Sequence, residues 1–154
     1  MNDDSLRVPI VPPLIYALSM TAGIILHLVV PWQLFMQPWI GQILGWPIIV
    51  VGLLLFVWAV SSMLRGGEHP DIHKPTQNLI SSGPFAFSRN PIYLSFTVIY
   101  LGIALVVNTI WLLVFLPVVL SLLHYTVIQR EEQYLAKVLG DEYLKYKGRV
   151  RRWL

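Results

Sequence analysis

Two polar segments interrupt a chain that is otherwise largely apolar. The first, "SSGPFAFSRNPIYLS", places Arg89, Asn90 and Tyr93 at the start of an apolar run. The second, "QREEQYLAKVL", places Glu131 and Glu132 directly after a later apolar run. An arginine binds carboxylates or phosphates, whereas a carboxylate binds cations or accepts protons. Because the chain contains no cysteine, thiolate nucleophiles and zinc-thiolate sites are excluded.

The acidic pair has no basic neighbour at helical spacing. Positions three and four residues away are Val127, Ile128, Gln129, Tyr134, Leu135 and Ala136. From this pattern we expect the negative charge of Glu131 and Glu132 to be free for another partner. A solvated helix face is the alternative interpretation of the pair.

The elements that position these residues are predicted to be membrane spans. Of the 154 residues, 56% are hydrophobic and 12% are charged, which is about half the charged fraction of a soluble domain. A crossing needs about 20 helical residues. The apolar runs predict a single all-α domain, an integral membrane bundle of four transmembrane helices at about 12–30, 40–64, 91–107 and 109–128. The third span is short.

All lysines and arginines fall on one side of this predicted bundle. They lie before the first span, between the second and third, and after the fourth, while the other two connections are uncharged. The positive-inside rule makes the basic side cytoplasmic, so both termini are expected there. Tryptophans mark the opposite interface. The short chain suggests a bacterial origin, and we therefore expect a multi-pass protein of the bacterial inner membrane.

The Ser-Arg-Asn-Pro corner is predicted to begin the third span. Arg89 at the centre of a span would cost about 2.5 to 3.5 kcal/mol, so the helix should start just after it. Asn90 is suited to the N-cap and Pro91 to the first helical position. Asn108 is the only turn signal between the third and fourth spans. These spans therefore predict a hairpin that brings the acidic pair near Arg89.

The segment after the fourth span predicts a cytoplasmic amphipathic tail of two helices. Gly140 can end the first helix, Asp141 can cap the second and Gly148 can end it. The apolar side of the second helix is formed by Tyr143, Leu144 and Tyr146. Because its basic residues can face anionic headgroups, we expect this tail to lie on the membrane.

The loop after the second span contains residue types that bind metals, namely Glu68, His69 and His73. Two histidines four residues apart bind a metal when they lie on one helix, but a glycine pair and prolines interrupt this loop. We therefore predict no metal site. His124, within the fourth span, is expected to make a structural hydrogen bond.

The two polar segments together resemble a known family. "LISSGPFAFSRNPIYLS", followed after an apolar hairpin by "REEQYLAKVLGDEYLKYKGRVRRW", is similar to the membrane methyltransferases that include isoprenylcysteine carboxyl methyltransferase and the phospholipid methyltransferases. Their usual pattern is a Gly-Pro-Tyr turn, Arg-His-Pro or Arg-Asn-Pro with a tyrosine two residues on, a hairpin, Glu-Glu and Phe-Gly-x-x-Tyr. The resemblance covers about residues 77–153. Phe85 replaces the common tyrosine, and Asn90 stands where the isoprenylcysteine enzymes usually have histidine.

The resemblance implies S-adenosylmethionine as methyl donor and S-adenosylhomocysteine as product, bound by residues of about 77–93 and 129–153. The cofactor-binding residues that it implies are Leu79, Ile80, Phe85, Asn90, Pro91, Tyr93 and Glu132. We assign catalytic roles to Arg89, which would orient a carboxylate acceptor, and to Glu131, which would accept a proton from an amine; Tyr93 is the alternative candidate to accept this proton.

The expected activity is methyl transfer to a lipophilic or membrane-associated acceptor at the cytoplasmic face, such as an isoprenylcysteine-type carboxylate or a phospholipid amine. The expected partners are the lipid bilayer and this acceptor, with no nucleic acid. Such a displacement needs mainly alignment and exclusion of water, and alignment alone supplies roughly 7 to 11 kcal/mol. Two alternatives remain open: a nicotinamide-dependent membrane reductase of the steroid reductase kind, and a non-catalytic membrane subunit.

Overall fold

The structure, a computed structural model, describes residues 11–69, 76 and 78–154. Within these ranges the chain is helical, with no strand. The helices are α1 (Pro12–Val29), α2 (Pro38–Arg65), α3 (Pro91–Val106), α4 (Ile110–Leu123), α5 (Gln129–Leu139) and α6 (Asp141–Arg149), with a 3₁₀ turn at Gly83–Ala86. The predicted all-α class is therefore confirmed. Arg7, His73 and Lys74 lie outside the described residues.

In the part of the chain that the structure describes, three helical segments are long and apolar enough to cross a membrane: α1, α2 and the continuous helix Ile110–Leu139. α3 has 16 residues, which corresponds to about 24 Å, less than the roughly 30 Å of a bilayer core. α3 therefore stays a predicted fourth span, and its shortness agrees with the sequence. The cytoplasmic side of the bundle also stays a prediction.

The last long helix does not stop where the apolar run ends. The sequence places the end of the fourth span near Ile128, but a single π turn, His124–Ile128, joins α4 directly to α5. A π turn inserts one extra residue into the helix without breaking it. The acidic pair therefore lies on a rigid continuation of the span rather than on a separate tail helix.

Glycines let α2 and α3 pack closely in antiparallel directions. A methyl group on Gly45 would lie 2.6 Å from the carbonyl oxygen of Gly102, which is closer than non-bonded atoms approach. A methyl group on Gly52 would similarly lie 2.6 Å from the side chain of Ile99. Glycines at these positions thus allow the backbones of the two helices to come into contact.

The turn at Asn108 closes the uncharged end of the bundle. Asn108 has a φ of 56°, a conformation that asparagine tolerates better than most residues. Its side-chain oxygen accepts hydrogen bonds from the backbone of Leu34 at 3.1 Å and Phe35 at 2.8 Å. Trp111 donates from its ring nitrogen to the carbonyl of Val30 at 2.8 Å. These bonds fix the α1–α2 connection against the start of α4.

α1 packs against the start of α3. The hydroxyl of Tyr16 donates to the carbonyl oxygen of Tyr93 at 3.1 Å and also lies 2.7 Å from the hydroxyl of Thr97. Tyr16 is 5% exposed and belongs to the buried core. Tyr93 is therefore anchored through its own backbone, which leaves its hydroxyl for another partner.

The helix ends differ from the sequence predictions in three details. Asn90 occupies the N-cap position of α3, but its side chain makes no capping bond. It donates instead to the carbonyl of Arg152 at 3.0 Å, because the chain end returns to this corner. α6 begins at Asp141 with Gly140 as its N-cap residue, and Gly148 lies within this helix, which ends at Arg149.

Candidate active site

A cavity of about 570 Å³ lies where the two polar segments meet. Its volume is within the range of small-molecule sites. All the residues that the sequence assigned to the site line it: Leu79, Ile80, Phe85, Arg89, Asn90, Pro91, Tyr93, Glu131 and Glu132. The lining also includes residues from α1 and α2, outside the segments that the resemblance covers.

The walls of the cavity combine charged groups with an apolar surface. The charged and amide side chains are Glu68, Asn78, Arg89, Asn90, Glu131 and Glu132. The apolar wall from α1, α2 and α3 consists of Val11, Pro12, Pro13, Phe56, Met63, Ile92 and Phe96. The rings of Phe56 and Phe96 stack with centroids 5.4 Å apart. The cavity can therefore accommodate a molecule with a polar group and an apolar part.

Glu131 and Tyr93 form a hydrogen-bonded pair in this cavity. The tyrosine hydroxyl donates to Oε1 of Glu131 at 2.7 Å, although 38 residues separate them. The hairpin of α3 and the last long helix brings them together, and Tyr16 fixes the backbone of Tyr93. A carboxylate held in this way can accept a proton or bind a cation within the cavity.

Glu132 is surrounded by three cationic side chains, contrary to the expectation that its charge is free. Its carboxylate lies 2.9 Å from Arg89 Nη1 and 3.0 Å from Lys147 Nζ. Arg152 donates to both carboxylate oxygens, at 2.8 and 3.0 Å. Helical spacing could not reveal these partners, since all of them come from other elements. The predicted role of Glu132 in cofactor binding stays a prediction.

The guanidinium of Arg89 has an unsatisfied edge. Its side chain is 10% exposed, and its Nε finds no hydrogen-bond acceptor among the described residues. A buried charged donor without an acceptor is costly, and native proteins rarely leave one unpaired. Arg89 also lines the cavity. An anionic group bound in the cavity would complete its hydrogen bonding.

The Gly-Pro-Phe turn forms one margin of the cavity. Gly83 has a φ of 61°, a conformation that glycine adopts without strain. The carbonyl of Phe85 accepts a hydrogen bond from the hydroxyl of Tyr146 at 2.7 Å. Phe87 is 41% exposed and lies against Trp58 with ring centroids 5.9 Å apart. It is not among the residues that line the cavity.

α6 contributes two lining residues that sequence reasoning assigned to the membrane surface. Tyr143 and Tyr146 are only 2% and 3% exposed, whereas Leu144 is 54% exposed. Burial raises the pKa of Tyr143, and it raises the pKa of Tyr146 to about 12, so both hydroxyls stay neutral. Their spacing of three residues places them on one helix face. This spacing was the available signal for an inward-facing side.

Glu68 and the chain end supply further residues that the sequence did not assign to the site. Glu68 is 8% exposed, lines the cavity and accepts a hydrogen bond from the backbone of Asn78.

Within the described residues, no group of three metal-ligating side chains forms a metal site. His124 makes a hydrogen bond with Arg152, 3.0 Å from Nδ1 to Nη1. The Glu132 hydrogen bonds raise the pKa of Arg152 above its usual value.

Comparisons with known proteins cover most of this site. The sequence model of the family described as phospholipid methyltransferase matches residues 40–142. An uncharacterized protein of Haemophilus influenzae is 44% identical over 62 residues, which are 36% of this chain and 98% of that protein. No solved structure matches. The family match runs from α2 into α6 and includes Arg89, Tyr93 and both acids of the pair.

Proposed function

The chain belongs to the phospholipid methyltransferase family, and on this basis we propose that it transfers a methyl group from S-adenosylmethionine to a lipophilic or membrane-associated acceptor. Membership of the family indicates a membrane methyltransferase in general. The observation that carries the specific proposal is a cavity in which Arg89 and Glu131 share one lining with an apolar wall.

The cavity residues fit the chemistry of the proposed donor. S-adenosylmethionine carries a carboxylate and two cationic groups, an ammonium and a sulfonium. The unsatisfied Nε of Arg89 suits the carboxylate, and Glu131 suits a cation. Leu79, Ile80 and Phe85 offer apolar contacts for adenine, and Asn90, Pro91 and Tyr93 complete the proposed pocket. When bound, the donor supplies an electrophilic methyl group.

The chain's own groups would align the acceptor and control its proton. If the acceptor is an amine, Glu131 can accept the proton that must leave, and the Tyr93 hydroxyl holds this carboxylate in place. If the acceptor is a carboxylate, no base is needed, and Arg89 can orient it. Tyr143 and Tyr146 help to exclude water from the cavity. Alignment is worth roughly 7 to 11 kcal/mol in such a reaction.

The apolar wall supports a lipophilic acceptor. It is built from the first turn of α1 and from the facing sides of α2 and α3, which are apolar helices of the bundle. A lipid tail could lie against Phe56 and Phe96 while its polar end reaches Glu131. We place the reaction at the cytoplasmic face of a bacterial inner membrane, because all basic residues of the sequence fall on one predicted side.

Calorimetry on the purified protein in detergent tests this function. We expect S-adenosylhomocysteine to bind with a stoichiometry of one, and a nicotinamide dinucleotide not to bind. Binding of the dinucleotide alone would favour a reductase, and binding of neither would favour a non-catalytic subunit. Incubation with S-adenosylmethionine labelled in its methyl group and a lipid extract should then identify the acceptor as the labelled product.

A further inference from the structure

The end of the chain returns to the corner where α3 begins. Residues 150–154, here called the strap, follow α6 and lie along this corner. The carbonyl of Arg151 accepts from the backbone of Arg89 at 3.0 Å. The carbonyl of Arg152 accepts from the side chains of Ser88 at 3.3 Å and Asn90 at 3.0 Å. The strap therefore bonds directly to residues that border the cavity.

The side chain of Arg152 links the strap to the last long helix. It donates from Nε and Nη2 to both oxygens of Glu132, a bidentate arrangement that is among the stronger polar contacts in proteins. Its Nη1 lies 3.0 Å from Nδ1 of His124 on the π turn. Because arginine always donates, His124 Nδ1 is the acceptor in this contact.

Glu132 connects three elements through a single carboxylate. Arg89 comes from the corner before α3, Lys147 from α6 and Arg152 from the strap. The carboxylate side chain is 8% exposed, and the side chains of Arg89, Arg152 and Lys147 are 10%, 27% and 43% exposed, so water screens the contact with Arg89 least. Without the carboxylate, three cations would face one another, which favours separation of the strap and α6 from the corner.

α6 covers the cavity on one side, and the strap, which does not line the cavity, follows α6 and holds the corner before α3. Tyr143 and Tyr146 of α6 line the cavity, and Tyr146 bonds to the margin at Phe85. Separation of α6 and the strap from Glu132 would therefore open the cavity near Arg89. Besides its polar contacts, the strap is held by Trp153, which packs against the hydrophobic core. A segment at the edge of the fold opens more readily than the core of the bundle.

We propose that Glu132 is the latch of a C-terminal lid: its contact with Arg152 holds the strap at the corner and thereby keeps α6 over the cavity, and ligand exchange requires this contact to open. Glu132 and Arg152 are then positioning residues that act through the lid. This role differs from direct binding of a cationic ligand by Glu132. The proposal rests on the proposed function only for the choice of S-adenosylhomocysteine as probe.

Limited trypsin digestion of the full chain in detergent tests the latch without any ligand. Arg152→Lys keeps the charge and a trypsin site but loses the bidentate contact. We expect the strap to be cleaved about tenfold faster in this variant. Arg151→Lys is the matched control. The Arg151 side chain is exposed, and the contact with Arg89 is made by the backbone carbonyl of Arg151, which the substitution keeps. Equal cleavage rates in wild type and Arg152→Lys would overturn the latch.

Binding kinetics of S-adenosylhomocysteine test whether the lid controls exchange. For Arg152→Lys we expect the association and dissociation rate constants both to rise, by about tenfold each, with a smaller change in Kd. An increase of the dissociation rate constant alone would overturn the lid in favour of direct ligand contact. If wild type binds no S-adenosylhomocysteine, the proposed function fails, and the digestion experiment still decides the latch.

Discussion

The hydroxyl of Tyr93 donates to the carboxylate of Glu131 at 2.7 Å across 38 residues of sequence. This bond joins the start of α3 to the continuation of the last long helix, at the wall of the cavity. The pair therefore serves both the packing of the hairpin and the proposed chemistry. Substitutions that preserve one of these roles can separate them.

Tyr93→Phe should destabilise the protein by about 1 to 3 kcal/mol, because it removes the donor to Glu131 within a largely buried pair. Tyr125→Phe is the matched control, since Tyr125 is 66% exposed, and its free energy of unfolding should be unchanged. Reversible unfolding in mixed detergent micelles, followed by circular dichroism, measures the free energy of unfolding of both variants. Equal stability of the two variants would contradict a structural role for the hydroxyl.

Glu131→Gln should keep the fold but impair methyl transfer. The glutamine carbonyl can still accept from Tyr93, whereas the negative charge and the capacity to take a proton are lost. For an amine acceptor we expect kcat to fall about 100-fold or more, in the range typical of a lost general base. Thermal unfolding of the same sample provides the check on folding. If Glu131→Gln had the same kcat as the wild type with an amine acceptor, Glu131 would not be the general base.

Glu132→Gln should destabilise the protein more than Glu131→Gln does. Removal of one partner of a buried ion pair costs about 3 to 5 kcal/mol, and partial exposure of Lys147 and Arg152 lowers this toward about 3 kcal/mol. Unfolding of both variants under one condition gives the comparison. If Glu131→Gln is the less stable variant, the contacts of Glu132 are not the main link between the elements.

Local sequence patterns were sufficient to predict the elements that form the cavity. Apolar runs located the helices, and the Arg-Asn-Pro corner located the start of α3 at Pro91. These features depend on neighbouring residues and on the thickness of a bilayer. The all-helical class was therefore predictable from these patterns, and the family was predictable from the resemblance of the two polar segments; both are confirmed.

Contacts made by the end of the chain were not predictable in the same way. Arg152 is 20 residues from Glu132, beyond the range of helical spacing rules, and the contact depends on how α6 and the strap return. The sequence alone does not distinguish the inward face of Tyr143 and Tyr146 from a membrane-facing side, because both environments favour apolar rings. Amphipathicity identifies a buried face but not the surface against which it packs.

Close packing of α2 and α3 should make Gly45 intolerant of a side chain. Gly45→Ala would place a methyl group 2.6 Å from the carbonyl oxygen of Gly102, and overpacking of this kind costs about 1 to 3 kcal/mol. Gly148→Ala is the matched control, since nothing lies within 4 Å of its added methyl group. Within α6 it should stabilise the protein by up to about 1 kcal/mol. A stable Gly45→Ala variant would contradict the observed helix contact.

Arg89→Lys should weaken binding of ligands that carry a carboxylate. The lysine keeps the charge near Glu132 but lacks the Nε donor that is unsatisfied in the structure. Loss of a hydrogen bond to a charged group corresponds to about 10- to 100-fold in Kd. We therefore expect calorimetry to show this loss for S-adenosylhomocysteine.

5′-Methylthioadenosine, which lacks the amino-acid part, distinguishes this loss from general damage to the cavity. Its Kd should be nearly the same for wild type and Arg89→Lys, because it offers no carboxylate to Arg89. Arg65→Lys, at the exposed end of α2, controls for the exchange of arginine by lysine. If Arg89→Lys raises the Kd of both ligands equally, Arg89 shapes the cavity rather than binding the carboxylate. If it raises neither Kd, the Nε of Arg89 does not bind the ligand.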